Sequence, residues 1–286
     1  MKSKGDTPLA HTPPSNPPQR KNSQLRAWMA ICLLFLPGCM IVETDDFGDA
    51  RNTDFIARES FTYEVNISGQ TRVTVEAING TIEILGSATA SSVIVTGERK
   101  VGSDTFRDAE EHLDDLEVRV TDLNDEVLVR TIQPQQSHGR NYVVEYTITL
   151  PSDLMVDVSQ INGTIIIEDL QQDVVAHSVN GTVRLDDIVG SANISVVNGN
   201  VDGDIALPAD GLIELKATNG NIKLAIPTST SATFSASVTN GDIDTTNLTF
   251  QNPVSSNRSL SGRLGGGNST IDLRTVNGNI RVNGVQ

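Results

Sequence analysis

The dipeptide Asn-Gly returns along this chain at intervals that are typical of a stacked repeat. The repeat is defined by Asn79, Asn162, Asn180, Asn198, Asn219, Asn240 and Asn277. The middle five are separated by 18, 18, 21 and 21 residues. A nearly fixed period of about 20 residues predicts a solenoid, in which each repeat packs on its neighbours.

Apolar residues keep a constant distance from each of these Asn residues. The residue three places after it is always β-branched and aliphatic, as in Ile165 and Val183. The residues four and six places before it are always apolar, as in Val158 and Val156. These offsets are even before the Asn and odd after it, whereas an unbroken strand would keep one parity. Each Asn-Gly is therefore predicted to be a corner, because Asn and Gly accept the positive φ that suits a bend.

The sequence thus predicts an all-β fold, a single-stranded parallel β-solenoid with coils of 18 to 21 residues. Inward Val, Ile and Leu side chains would form its core, and each coil would pair with the next about 4.8 Å away. The successive corner Asn side chains are expected to stack as a hydrogen-bonded ladder, which gives them a structural role. An isolated Asn-Gly also suits a two-residue hairpin, but an up-and-down meander would turn more than once per repeat.

Two segments interrupt the repeat. Residues 103–116 place apolar side chains on one helical face, and Thr105 with Asp108 fits a capping box. Three alternating stretches that predict strands follow at 116–122, 125–132 and 142–150. This helix-and-strand insertion is expected to cap the amino-terminal end of the solenoid. The second interruption, 247–269, is rich in Ser, Asn and Gly and is predicted to be a loop extruded from one coil.

The amino terminus has the pattern of an export signal. A basic stretch with Arg20, Lys21 and Arg26 accompanies an apolar run that is too short for a membrane span of about 20 residues. The run ends in Leu-Pro-Gly-Cys, which resembles the lipobox of bacterial lipoprotein signal peptides and makes Cys39 the expected lipidation site. An ordinary cleaved signal with an incidental Cys is the alternative.

These features divide the chain into four predicted segments. Residues 1–38 are an N-terminal extension with the signal peptide, and 39–58 form a tether. Residues 59–155 form an N-terminal coil with the inserted cap, and 156–286 form the solenoid repeats. Acyl chains on Cys39 would supply enough buried hydrocarbon for stable membrane attachment. The residue after Cys39 is Met40, not Asp, so the lipoprotein resemblance implies the outer membrane.

Charge and cysteine content restrict the partners. Removal of residues 1–38 takes away five Lys/Arg and one acidic residue, which changes the formal net charge from −15 to −19. Such a surface repels phosphate backbones, so no nucleic-acid partner is expected. The expected partners are the membrane, through the anchor, and an unidentified envelope or extracellular ligand. Cys32 would leave with the signal, so the mature chain would have no disulfide.

The repeated corners, the lipoprotein signal and the inserted helix-and-strand region together resemble the bacterial putative-adhesin family of β-solenoid domains of unknown function. The resemblance covers roughly residues 60–284. It implies the solenoid architecture and a role in adhesion. It implies no catalytic residues, because the family defines none that match positions of this chain.

The chain offers few candidates for chemistry. Carboxylates follow three corners in pairs, as Asp186 with Asp187, Asp202 with Asp204, and Asp242 with Asp244. Such pairs suit glycoside hydrolysis or calcium binding. Aromatic platforms, nearby basic residues and the glycine-rich nonapeptide of calcium β-rolls are scarce or missing, so a solvated face is the preferred interpretation. His177 lacks the neighbouring ligands of a zinc site. We therefore expect no cofactor and no metal.

The leading hypothesis is a non-enzymatic cell-envelope lipoprotein that presents a rigid acidic β-solenoid for adhesion or envelope interactions. The alternative from another class is a β-helical carbohydrate-active enzyme, a polysaccharide lyase or hydrolase that uses one of the Asp pairs. A cleaving activity that disappears in Asp202→Asn or Asp242→Asn, with folding intact, would favour the enzyme. A periplasmic scaffold in envelope signalling or assembly is a third hypothesis.

Overall fold

The computed structural model describes Val42–Glu43 and residues 55–286. The predicted signal peptide and Cys39 lie outside these residues, as does most of the predicted tether. Strand β2 begins at Phe55, inside the segment that the sequence assigns to the tether. No helix of the described part is long and apolar enough to cross a membrane.

The amino-terminal region combines strands with one short helix. Its strands are β1 (Val42–Glu43), β2 (Phe55–Asn66), β3 (Arg72–Asn79), β4 (Ile82–Ser87), β5 (Ser92–Ser103), β6 (Glu117–Asp122), β7 (Glu126–Ile132) and β8 (Asn141–Pro151). The helix α1 (Phe106–Glu111) and a 3₁₀ turn, Leu113–Asp115, lie between β5 and β6.

The remainder of the chain is built from strands. The repeats contribute β9 (Met155–Asn162), β10 (Ile165–Glu168), β11 (Val174–Asn180), β12 (Val183–Val189), β13 (Ala192–Asn198), β14 (Val201–Ala206), β15 (Leu212–Asn219) and β16 (Ile222–Pro227). The last strands are β17 (Ala232–Asn240), β18 (Ile243–Thr246), β19 (Phe250–Ser256), β20 (Ser259–Leu264), β21 (Ser269–Asn277) and β22 (Ile280–Val285).

The strands form two sheets. Sheet A has the order β1-β2-β5-β8-β4-β10-β12-β14-β16-β22-β18, and sheet B has the order β19-β20-β17-β21-β15-β13-β11-β9-β3-β7-β6. Each predicted corner joins a strand of sheet B to a strand of sheet A, so one coil consists of one strand from each sheet. The predicted all-β class and the mostly parallel pairing are therefore confirmed.

Corner residues of neighbouring coils pair in register. Asn180 lies beside Asn162 and Asn198 in sheet B, and Asn198 also lies beside Asn219. The chain turns a second time at the opposite side of each coil, where the connections vary in length. The connection 190–191 is replaced by 207–211 one coil later, which accounts for the change in spacing from 18 to 21 residues.

The last coil of the chain is not the last coil of the stack. Strands β21 and β22, which meet at Asn277, lie between the coil of Asn219 and the coil of Asn240. Stacking in sequence order, which the repeat predicts, therefore ends at Asn219. The chain first forms the outermost coil, that of Asn240. It then returns, and the coil of Asn277 occupies the space between this coil and the coil of Asn219.

The amino-terminal insertion extends both sheets at the same end. Strands β5 and β8 join sheet A, with β5 antiparallel to both β2 and β8, and β6 and β7 join sheet B. Thr105 caps α1 by accepting a hydrogen bond from the Asp108 amide at 3.2 Å. The helix is shorter than predicted, and the Asp108 carboxylate binds Arg140 and the Ser103 hydroxyl instead of the cap amide.

The segment 247–269 is a β-hairpin with its flanking turns, so its prediction as a loop was wrong. Strands β19 and β20 pair antiparallel, and β20 also pairs antiparallel with β17 at the end of sheet B. The ring of Phe250 packs on Phe234 with their centroids 5.1 Å apart. Backbone pairing to an existing strand and this aromatic contact order a segment whose composition alone favours a loop.

A continuous aliphatic core lies between the two sheets. The predicted core positions on either side of the corners are buried, as at Val158, Ile165 and Ile222. Ile243 is the exception and is half-buried, because it lies on the edge strand β18. The parity change at each corner thus reflects a chain that leaves one sheet and enters the other.

This packing predicts opposite outcomes for two neighbouring substitutions. Ile165→Asp or Ile222→Asp buries an unpaired charge and should cost on the order of 4 kcal/mol or more of unfolding free energy. Thr164→Asp should cost less than about 1 kcal/mol, because Thr164 is only half-buried and Asp242 occupies the same corner position in another coil. Urea unfolding followed by circular dichroism measures the difference, and equal effects would contradict the assignment of faces.

Candidate functional site

The corners bring the backbones of neighbouring coils unusually close together. The Gly181 amide donates to the Asn198 carbonyl at 2.8 Å, and the Gly163 amide donates to the Asn180 carbonyl at 2.9 Å. A Cβ atom on Gly181 would overlap the carbonyl oxygen of Gly163. The corner Gly is therefore required by contact with the next coil as well as by its φ of +156°.

The corner Asn side chains form a continuous ladder of hydrogen bonds. Six of the side-chain amides donate to the side-chain oxygen of the neighbouring corner Asn, at 2.7 Å from Asn162 to Asn79 and at 2.8 Å in the other steps. At the amino-terminal end of the ladder, the Asn79 side chain donates to the Tyr142 carbonyl at 2.9 Å. The spatial order is Asn79, Asn162, Asn180, Asn198, Asn219, Asn277 and Asn240. The ladder follows the stack, and so differs from sequence order at its last two members.

The sequence attributes the corner Asn to a positive φ, and the structure shows that this reason is wrong. The corner Asn residues are not among the described non-glycine residues with positive φ, which include Asp187 and Asn247. Extended backbone at the corner Asn needs no special conformational freedom. Asn is favoured there because its side chain is both a donor and an acceptor, and so can bond to the coils on both sides.

A second row of polar contacts runs beside the ladder, two residues after the corner. The Asn200 side-chain oxygen accepts a hydrogen bond from the backbone amide of Asn221 at 2.9 Å. The Asn221 side-chain oxygen accepts one from the backbone amide of Asn279 at the same distance. The Asn279 side chain accepts from the Asp242 amide at the same distance. Both rows hold coils together, so we assign them a structural role.

The outer face of sheet A carries most of the charged residues discussed above as candidates for chemistry. An open groove of about 710 Å³ lies across β12, β14, β16, β22 and β18. Its charged lining consists of Arg184, Asp186, Asp202, Asp204, Lys223, Asp244 and Arg281. Because strands in register stack like residues, these charges stand in two rows along the solenoid axis.

Three carboxylates converge at one end of this groove. Strand β12 has a bulge after Leu185, and Asp187 takes a φ of +52° there. Oxygens of Asp186, Asp187 and Asp204 consequently lie within 4.8 Å of one another. Partial burial, with the charges of Asp187 and Asp186, raises the pKa of Asp204 above its ordinary value. These three residues are the described carboxylates that could hold a divalent cation.

Two of the other three predicted carboxylates lie near cations. The Lys223 ammonium is 3.5 Å from Asp202, and the Arg281 guanidinium is 3.9 Å from Asp244. Asp242 is exposed, and its backbone belongs to the second polar row. Asp186 and Asp187 stay together as predicted, whereas the other two pairs are divided, and Asp204 joins Asp186 and Asp187 instead of acting with Asp202.

The outer face of sheet B is different in character. A row of aliphatic side chains immediately before the corners is exposed, with Ile161 at 45%, Val179 at 43% and Val197 at 42%. Together with the polar row of Ser159, His177 and Ser195, these side chains border a groove of about 450 Å³. His177 is exposed, and none of the metal-ligand clusters among the described residues contains it.

Two sheets of stacked coils, joined at glycine corners and extended by strands at their amino-terminal end, define a class of repetitive β-proteins. Residues 66–283 match the family model described as Toastrack DUF4097. The chain belongs to this family, which confirms the predicted family of unknown function. No curated protein matches the chain.

Several solved structures resemble the chain at low identity. One is described as a putative cell adhesion protein from Clostridium sporogenes, with 13% identity, a TM-score of 0.45 and coverage of 80% of this chain and 100% of that one. A putative adhesin from Bacteroides fragilis has 12% identity, a TM-score of 0.37 and coverage of 78% and 97%. A putative lipid binding protein from Parabacteroides distasonis has 14% identity, a TM-score of 0.22 and coverage of 79% and 97%. At this level of similarity none of them assigns a function.

The ladder predicts a graded response to the loss of its side chains. Asn180→Ala removes one hydrogen bond to each neighbouring coil and should cost about 1–2 kcal/mol of unfolding free energy. Asn240→Ala, at the end of the ladder, removes the bond to Asn277 and should cost about half as much. Urea unfolding midpoints measure both variants. A larger loss in Asn240→Ala than in Asn180→Ala would refute the additive ladder.

The carboxylate cluster predicts a stability change that depends on pH. The raised pKa of Asp204 means that the folded state disfavours its ionised form. Its contribution to stability is therefore present below the unfolded pKa of about 4 and is lost as pH rises through the raised folded pKa. Asp204→Asn should raise the melting temperature at pH 7 and leave it nearly unchanged near pH 3. Asp153→Asn, in an exposed turn, is the control that should change little at either pH. A lower melting temperature of Asp204→Asn at pH 7 would refute the repulsion.

Proposed function

We propose that this protein is a non-enzymatic lipoprotein of the cell envelope that presents a rigid, acidic solenoid, with coils of 18 to 21 residues, for adhesion or contacts with other envelope components. The observation that carries the proposal is the separation of apolar and polar side chains in the fold. The interior between the sheets is filled by aliphatic side chains, and the polar groups stand in regular rows on the outer faces. Such an arrangement offers extended surfaces for binding.

The charge pattern supports binding over catalysis. A glycosidase needs two carboxylates about 5 to 10 Å apart across a bound sugar, one of them able to donate a proton. In the groove of sheet A, Asp202 and Asp244 each lie beside a cation, and Asp204 lies among carboxylates. The aromatic contacts of the described residues lie at Phe61 and Phe234, away from this groove. A surface that recognises a charged or polar partner fits these features better than a lyase or hydrolase.

The anchor decides what this surface can reach. Lipidation of Cys39 would place the solenoid next to a membrane, and the outer membrane is the proposed site because Met40 follows the cysteine. Family membership supports the solenoid scaffold, and the signal supports export. Adhesion requires display at the cell surface, whereas a scaffold in envelope assembly would face the periplasm.

The anchor is tested by Cys39→Ala. The wild-type chain should sediment with membranes and carry an acyl modification on its amino-terminal peptide by mass spectrometry. Cys39→Ala should lack the modification and should no longer be recovered as a processed, membrane-bound protein. Thr164→Asp, which keeps the lipobox, is the matched control. An unmodified mature amino terminus in the wild type would refute the lipoprotein assignment.

Orientation is tested by protease digestion of intact and lysed cells, with the protein followed by antibody. Cleavage in intact cells supports adhesion, because only a displayed domain is reachable. Protection until lysis would refute the adhesin role and support the periplasmic scaffold. A periplasmic protein of known location must stay intact in the first sample.

A further inference from the structure

We propose that the outer face of sheet B is a self-association surface, at which two copies of this chain pack face to face with their solenoid axes antiparallel. The surface consists of the last outward residues of β3, β9, β11, β13 and β15. Its centre is the exposed row of Ile161, Val179 and Val197. Exposed aliphatic residues that lie side by side form an apolar patch, the kind of feature that a partner covers, whereas single ones need no partner.

The aliphatic row lies on a regular surface, because the strands that carry it pair in register. Ser159, His177 and Ser195 pair in register, two residues before Ile161, Val179 and Val197 on the same strands. Residues two apart on a strand share a face, so the polar and the aliphatic rows run side by side along the solenoid axis. Two such faces can pack at the usual spacing of about 10 Å between sheets.

The charges at the ends of the polar row select the second copy as the partner. In register, the row reads Glu76, Ser159, His177, Ser195 and Lys216 across β3, β9, β11, β13 and β15. A twofold axis parallel to the strands and centred on β11 reverses this order in the facing copy. It places Glu76 opposite Lys216 of the partner subunit and repeats the contact at the other end. The face is therefore complementary in charge to itself.

The same axis also places compatible side chains of the two copies opposite each other in the remaining rows. Val179 lies opposite Val179 of the partner subunit, and Ile161 lies opposite Val197 of the partner subunit. In the next outward row, Asp157 lies opposite Asn193 of the partner subunit. Moving the axis by half a coil, to a position between β11 and β13, would instead place Asp157 opposite Glu214 of the partner subunit, so two carboxylates would face each other. Like charges thus disfavour the neighbouring register.

The terminal charges already have partners within their own chain. Glu76 accepts a hydrogen bond from Arg130 at 2.6 Å, and the Lys216 ammonium lies 2.6 Å from Glu214. Beyond these residues, Arg130 would stand opposite Arg274 of the partner subunit. Within one chain Arg130 pairs with Glu76, and Arg274 pairs with Asp272. We therefore limit the interface to the five strands from β3 to β15. The aliphatic row supplies most of the attraction, and the end charges fix the register.

Charge exchange tests the register directly. The full-length chain, purified in detergent, would be measured by sedimentation velocity with detergent-corrected masses. The wild type should dimerise, and Glu76→Lys or Lys216→Glu alone should weaken the dimer about tenfold, because two attractive contacts become repulsive. An equimolar mixture of the two variants should restore dimers, since each mixed pair again combines opposite charges at both ends.

Two further variants separate association from folding. Val179→Asp places two carboxylates face to face at the twofold axis and should abolish the dimer, while Val189→Asp, on the 50% exposed Val189 of sheet A, should leave it intact. Circular dichroism must show that both variants are folded. A wild type that stays monomeric at the highest concentration, or a mixture no more dimeric than its components, would overturn the proposal. Loss of the dimer would leave the lipid modification of Cys39 unaffected, so this result is separate from the test of the anchor.

Discussion

The close approach of neighbouring backbones at the Asn-Gly corner is the constraint on which the rest of the structure depends. A side chain on Gly181 would overlap the Gly163 carbonyl, so each stacked coil needs glycine at this corner position. The Asn180 side chain then meets its counterparts above and below. Together these contacts fix the register, and a shift of one residue would move every inward side chain to the outer face. The aliphatic core is sorted correctly because the corners are aligned.

The regular part of the fold could be predicted from the sequence because this constraint repeats. The offsets of Val158 and Ile165 from Asn162 show which side chains face inward, and the parity change locates the bend. The helix near Thr105 could also be predicted, since its cap is local. The partner of the Asp108 carboxylate could not be predicted, because Arg140 comes from a distant part of the chain.

The position of the last coil could not be predicted, because every corner carries the same dipeptide and fits beside every other. Its place follows from the hairpin β19–β20, which pairs with one side of β17 and so leaves only the other side available. The returning strand β21 must therefore enter between β15 and β17. The hairpin was missed for a related reason: its strands are ordered by the edge that they join and by the contact of Phe250 with Phe234, and both are tertiary.

The two outer faces show the same limit for the candidate sites. Alternation predicts that Asp202 and Asp204 point outward, and both are partly exposed. It does not predict their partners, because the bulge that brings Asp187 to Asp204 interrupts the alternation. The same alternation places Val179, one residue before its corner, on the outer face of sheet B. It does not predict what covers the aliphatic row there, because that depends on contacts outside the repeat.

The different character of the two faces gives the proposed assembly a consequence for function. An axis parallel to the strands turns the sheet B faces of both copies inward and leaves both sheet A faces exposed on opposite sides. Each dimer would then present two grooves that contain the Asp186, Asp187 and Asp204 cluster. Two identical sites on one rigid body bind a repetitive surface more tightly than one site, provided that the geometry lets both engage. Weak contacts at a charged groove would be sufficient for such a protein, because the stacked core holds the sites at a fixed distance.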